Sequence, residues 1–142
     1  MRNLFRATAA LTIIGAADAI YGIVQHFGPT GTGVCNWGGR ISCDIVNKSV
    51  FSEIAGVPVA IIGLIGYITI FGAALWANNT QQRSDTRNLF LLTLGGFLFS
   101  AYLTWIEVWW LRAFCPICIV SQTIITLILI LSGLAYRKAG RA

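Results

Sequence analysis

Apolar residues in this chain fall into four long runs separated by short polar segments. The runs cover approximately residues 7–24, 54–77, 88–106 and 113–136. Each is close to the ~20 residues needed to cross ~30 Å of hydrocarbon. Asp18 alone interrupts the first run, and the second carries no charge. Barrel strands would alternate polar and apolar side chains, and these runs do not. A backbone in lipid must satisfy its own hydrogen bonds, so each run predicts a helix. The predicted fold is all-α and integral to the membrane: a four-transmembrane-helix bundle forming a single membrane domain over 1–142. The first run has a basic start like a signal peptide. It lacks a clear small-x-small cleavage site followed by a soluble domain, and is read as a span.

Charge fixes the expected orientation. Four spans put both termini on one side. Arg2, Arg6, Arg83, Arg87, Arg137, Lys138 and Arg141 fall on that side, against Arg40, Lys48 and Arg112 on the other. The excess of Lys and Arg marks the cytoplasmic face. Loop 25–53 and the Glu107–Arg112 turn are then extracytoplasmic, with Glu107 and Arg112 as solvated boundary residues. The loop has a turn-rich start at Gly28-Pro29-Thr30-Gly31. Its Asn47–Glu53 stretch predicts a short interfacial amphipathic helix. About thirty residues cannot build a core of their own, so the loop is expected to cap the bundle.

Composition agrees. Only 11% of the 142 residues are charged, where a soluble domain carries about 25%. The net charge of +5 would suit nucleic acid if the basic residues gathered on one soluble face. They serve topology instead, and no nucleic-acid partner is expected.

The chemistry lies in four cysteines: Cys35 and Cys43 in the loop, Cys115 and Cys118 at the start of the last span. Cys115-Pro116-Ile117-Cys118 is a C-x-x-C. Pro116 suits the first helical position, where its missing N–H costs nothing. Cys115 is then the N-cap and Cys118 the third helical residue, where free N–H groups and the helix dipole stabilise a thiolate. Cys35 and Cys43 lie eight residues apart in a Gly-rich segment and are free to pair. Two pairs at one membrane face suggest a thiol relay from a reduced partner to an acceptor in the bundle. Two structural disulfides are the plain alternative, and would make this a structural membrane protein with stapled loops. A four-cysteine zinc site is another, although the loop spacing is loose for a tetrahedron. No metal and no flavin is expected.

These residues resemble the vitamin K epoxide reductase family, as a bacterial-type homologue without a fused thioredoxin domain. The likeness rests on Cys35/Cys43, Ser49 six residues after Cys43, and Phe114-Cys115-Pro116-Ile117-Cys118 opening the last helix. Gly56-Val57-Pro58-Val59-Ala60 and Ser100-Ala101-Tyr102-Leu103 also look similar. The resemblance implies a four-helix bundle around a quinone (ubiquinone, menaquinone or vitamin K) as electron acceptor. It makes Cys118 the thiol facing the quinone and Cys115 the one exchanging with Cys43, with Ser49 helping to hold the site. It also implies a separate thioredoxin-fold partner of the DsbA kind, and a bacterial or archaeal cytoplasmic membrane. Animal members carry an Asn in the second helix where this chain is apolar near Val59. They carry a Tyr four residues after the C-x-x-C where it has Gln122, which can still donate a hydrogen bond. These differences favour quinone reduction over epoxide reduction.

Ser49, Phe51, Val59, Trp105 and Gln122 are the expected pocket residues. Trp105, Trp109 and Trp110 also suit an aromatic belt at the interface. Asp18 is divided between a structural hydrogen bond and a proton role, and His26 reads as an interfacial residue with a solvated edge. Gly15, Gly22, Gly63, Gly66, Gly72, Gly95 and Gly96 are expected to allow close helix packing.

Overall fold

Four helices account for nearly all of the computed structural model, which describes residues 2–28, 53–112 and 115–141. They are α1 (Arg2–Phe27), α2 (Val59–Thr80), α3 (Arg83–Ile106) and α4 (Pro116–Arg141). All four are long and apolar enough to cross a membrane. The shortest, α2, has 22 residues, about 33 Å at 1.5 Å per residue. The protein is therefore an all-α, four-helix membrane bundle.

The helices run up, down, up, down. At one end His26 of α1 meets Glu53, just before α2. At the other, Thr80 closing α2 donates to Asp85 in the first turn of α3 at 2.6 Å. Both chain ends lie at this second end. There Arg83 stands 5.4 Å from the ring centre of Tyr136, which stacks on Phe90.

The core is thin, as expected where lipid is the solvent. Phe5, Tyr67, Ile70, Leu89, Ile124, Ile125 and Ile128 pack with Ala74, Ala77 and Ala135 between the helices. Ile13, Ile65, Ile68, Trp76 and Leu98 point outward and are more than half exposed. An apolar surface on this scale belongs against hydrocarbon, not water. Helix α1 packs on α2 and α4, and α3 on α4. Of the neighbouring pairs, α2 and α3 meet least closely.

Element ends differ from the hydropathy boundaries. The second helix begins at Val59, not residue 54, because strands β1 (Glu53–Ile54) and β2 (Val57–Pro58) form a minimal antiparallel hairpin. Its turn residues Ala55 and Gly56 have φ of 53° and 82°. Positive φ at both central positions is the turn that matches strand twist. Glu53, expected in an amphipathic helix, is thus a strand residue, and Asn47 to Ser52 lie outside the described residues. The link from α2 to α3 is only Gln81-Gln82. Gln81 takes a left-handed conformation and its N–H caps the Ala77 carbonyl at 2.9 Å.

Candidate active site

Between the four helices lies a partly open cavity of about 480 Å³. Three glycines make the space. Gly63 and Gly66 of α2 and Gly95 of α3 line it, and a Cβ on any of them would meet nothing within 4 Å. The expectation of close packing fails for these three, because they face the void. Gly72 likewise meets nothing. The packing role belongs to Gly15 against the Tyr67 ring, Gly22 against Ala60, and Gly96 against Ile125.

The C-x-x-C stands at one end of this cavity. Helix α4 opens at Pro116, so Cys115 occupies the N-cap position, and its carbonyl accepts the N–H of Ile119 at 3.1 Å. Cys115 is fully buried beside Tyr21, Ile117 and Cys118. Cys118 lines the cavity and its thiol interacts with that of Cys115. The short N-terminal offset thus separates two roles. One sulfur is enclosed beside the helix end, and the other opens onto the void.

Residues Glu107–Leu111 continue α3 as a π-helical turn, closed by the N–H of Arg112 on the Glu107 carbonyl. Arg112 has φ of 48°, and the chain turns back there toward Cys115. Glu107 is not a solvated boundary residue. It is only 3% exposed, lines the cavity, and its Oε1 accepts the backbone N–H of Cys115. The helix period explains the difference, since Ser100, Thr104 and Glu107 share one face, and that face looks inward.

Polar groups interrupt an otherwise apolar wall. The Tyr67 hydroxyl shares a hydrogen bond with Ser121 Oγ at 2.8 Å and donates to the Ser121 carbonyl at 3.2 Å. Ser100 Oγ donates to Gln122 Oε1 at 2.6 Å. Asp18 lines the cavity from α1. His26 lines it nearer the hairpin, with Nε2 3.0 Å from Glu53 Oε1. Its side chain is about nine-tenths covered, so the expected solvated edge is small.

Of the expected pocket residues, Val59 lines the cavity, beside the thiol-bearing Cys118. Gln122 sits behind it, reaching the wall through Ser100. Trp105 faces away from it and is half exposed. One step past Thr104 turns the side chain about 100° round the helix. Cys35, Cys43, Ser49 and Phe51 lie outside the described residues. Sequence reasoning did not single out Tyr67, and it read the three cavity glycines as packing residues. The Gly63–Gly66–Tyr67 spacing was their only signal, and glycine spacing also fits packing.

No curated protein sequence matches the chain. The sequence model of the vitamin K epoxide reductase family matches residues 6–133, which reach from the first turns of α1 into α4 and include every helix lining the cavity. The chain therefore belongs to the vitamin K epoxide reductase family, and is an integral membrane oxidoreductase.

Proposed function

We propose that this protein is a thiol:quinone oxidoreductase that supports disulfide formation outside the cytoplasm. The observation that carries the reading is the position of Cys118. It is a thiol in the first turn of a transmembrane helix, opening onto a mostly apolar cavity between helices. At about 480 Å³ the cavity falls in the range of sites that take ring-sized organic ligands, ~300–1,000 Å³. Hydroxyls and carboxyls at fixed points on its wall suit a ring bearing two oxygens. A cavity lined by glycines of both α2 and α3 suits an acceptor carried in the bilayer.

The electrons start on a dithiol protein of the thioredoxin-fold, DsbA-like kind. It exchanges with the Cys35–Cys43 disulfide through a mixed disulfide and leaves oxidised. Cys43 as thiolate then attacks Cys115 of the Cys115–Cys118 disulfide, and Cys118 departs as the thiolate. When Cys35 resolves the Cys43–Cys115 bond, the loop disulfide is restored and both C-x-x-C thiols are reduced. These two thiols give two electrons and two protons to the quinone, which leaves as hydroquinone while the Cys115–Cys118 bond reforms. Seven of the ten Lys and Arg residues fall at the end holding both termini, which supports cytoplasmic termini and an outward C-x-x-C.

The test is anaerobic quinone reduction by the purified, dithiol-supplied protein beside Cys118→Ala. Turnover in the wild type and none in the variant is the expected result. A wild type that reduces no ubiquinone or menaquinone analogue overturns the reading. Turnover of vitamin K epoxide alone would replace the acceptor.

A further inference from the structure

The thiol-to-quinone reading leaves one buried group without a task. Glu107 is enclosed at the junction of α3 and α4, and the Cys115 N–H is its only hydrogen bond among the described residues. A carboxylate can accept several hydrogen bonds. Burying a carboxyl inside a membrane bundle is costly, and such groups are characteristically functional. The π-helical turn that carries it is a rare feature concentrated at functional sites. Glu107 also lines the same cavity as Cys118 and holds the backbone of its C-x-x-C partner Cys115.

We infer that Glu107 is the proton shuttle of the C-x-x-C, holding Cys115 by its N–H and exchanging a proton with Cys118 across the cavity. The inference rests on the thiol:quinone reading. Closing the Cys115–Cys118 bond releases two electrons and two protons, and converting a quinone to a hydroquinone consumes both. Glu107 accepts the Cys118 proton as the sulfur turns to thiolate, and yields it to a quinone oxygen as the ring takes the electrons. The carboxyl is unchanged at the end. Passing the proton keeps a single negative charge in the Glu107–Cys118 pair throughout. Two anions side by side at low dielectric would repel strongly. Asp18 and His26 of α1 and Tyr67 of α2 face the same space, with Cys115 beside Cys118 on α4. Asp18 is the nearest rival for this role, being the other carboxyl on the wall.

Glu107→Gln separates the proton from the hydrogen bond, because its amide oxygen still accepts the Cys115 N–H. Two measurements on the full chain in detergent decide the matter. One is anaerobic reduction of a short-chain ubiquinone by the reduced protein. The other is the rate of Cys118 alkylation by iodoacetamide against pH, followed by mass spectrometry. In Glu107→Gln, alkylation should shift to lower pH by about half a unit or more, because the neighbouring negative charge is gone. Quinone reduction should fall on the order of 10²-fold, while Glu107→Asp recovers part of the rate. An unshifted alkylation profile overturns the inference, as does quinone reduction within about threefold of wild type. If the wild type reduces no quinone, the thiol:quinone reading fails, and the alkylation profile still tells whether Glu107 and Cys118 share a proton.

Discussion

Gly15→Ala tests whether Tyr67 is held in place from behind. A Cβ at position 15 would lie 2.6 Å from Tyr67 Cζ and 2.8 Å from Cδ1, well inside van der Waals contact. The aromatic ring cannot bend aside as an aliphatic tip does. It is also fixed at its far end by the Ser121 hydrogen bond of 2.8 Å. Overpacking of this kind costs about 1–3 kcal/mol, and drawing the hydroxyl off Ser121 forfeits about 1 kcal/mol more. Gly15→Ala should therefore destabilise the bundle by about 2–4 kcal/mol, read as a lower unfolding midpoint in detergent. The cause is isolated by a double-mutant cycle. In a Tyr67→Ala background the clash is gone, and the same substitution should be neutral or gain the helix preference of Ala over Gly, about 1 kcal/mol. That predicts a coupling of about 2 kcal/mol or more. Gly96→Ala is the control, since its Cβ meets only the flexible tip of Ile125 at 3.3 Å. A Gly15→Ala cost below about 0.5 kcal/mol, or no coupling to Tyr67, would refute the reasoning.

Two further substitutions probe the cavity and the bundle below it. Gly63→Leu places a side chain where a Cβ meets nothing within 4 Å. The fold should survive with little change in unfolding midpoint, while the KM for quinone rises by about tenfold or more, since methylene-scale changes in an apolar site already cost ~1–3 kcal/mol. Ser132→Ala removes the 2.8 Å hydrogen bond to Thr93 that links α3 to α4. Thr93 keeps its own bond to the Phe90 carbonyl, so the loss should stay near the ~0.6 kcal/mol typical of interhelical pairs in membranes, measured by reversible unfolding in mixed micelles.

The fold was readable because lipid leaves a chain few options. Each run near twenty apolar residues had to be a helix, and the basic residues fell at alternate junctions. The ends were less readable for a physical reason. Hydropathy detects the part of a helix inside hydrocarbon, whereas the helix continues into the polar interface. Hence α3 starts at Arg83 rather than residue 88, and α4 continues to Arg141 rather than residue 136. The hairpin ahead of α2 was hidden differently. Ile54 to Pro58 is as apolar as the span that follows it, and only the Ala55-Gly56 pair carries the turn.

The site divides along the same line. The C-x-x-C was legible because its chemistry is encoded over four consecutive residues, and Pro116 fixed its position on the helix. The wall of the cavity was not, because a residue's side of a membrane helix is not encoded by polarity alone. In water a glutamate marks the outside of a helix and a tryptophan its covered face. Here the rule is inverted at adjacent turns, with Glu107 enclosed and Trp105 turned outward. The glycines are ambiguous for a related reason. A missing side chain permits two opposite outcomes, a neighbouring helix drawn close or a space left open, and only the path of the neighbouring helix separates them. Helix α2 uses both its neighbours in this way. It is close to α1 where Gly15 receives Tyr67, and away from α3 where Gly63, Gly66 and Gly95 leave the void. Tyr67 belongs to both arrangements, with its ring in the packed contact and its hydroxyl on the cavity wall. That residue is therefore where bundle stability and acceptor binding should prove hardest to alter separately.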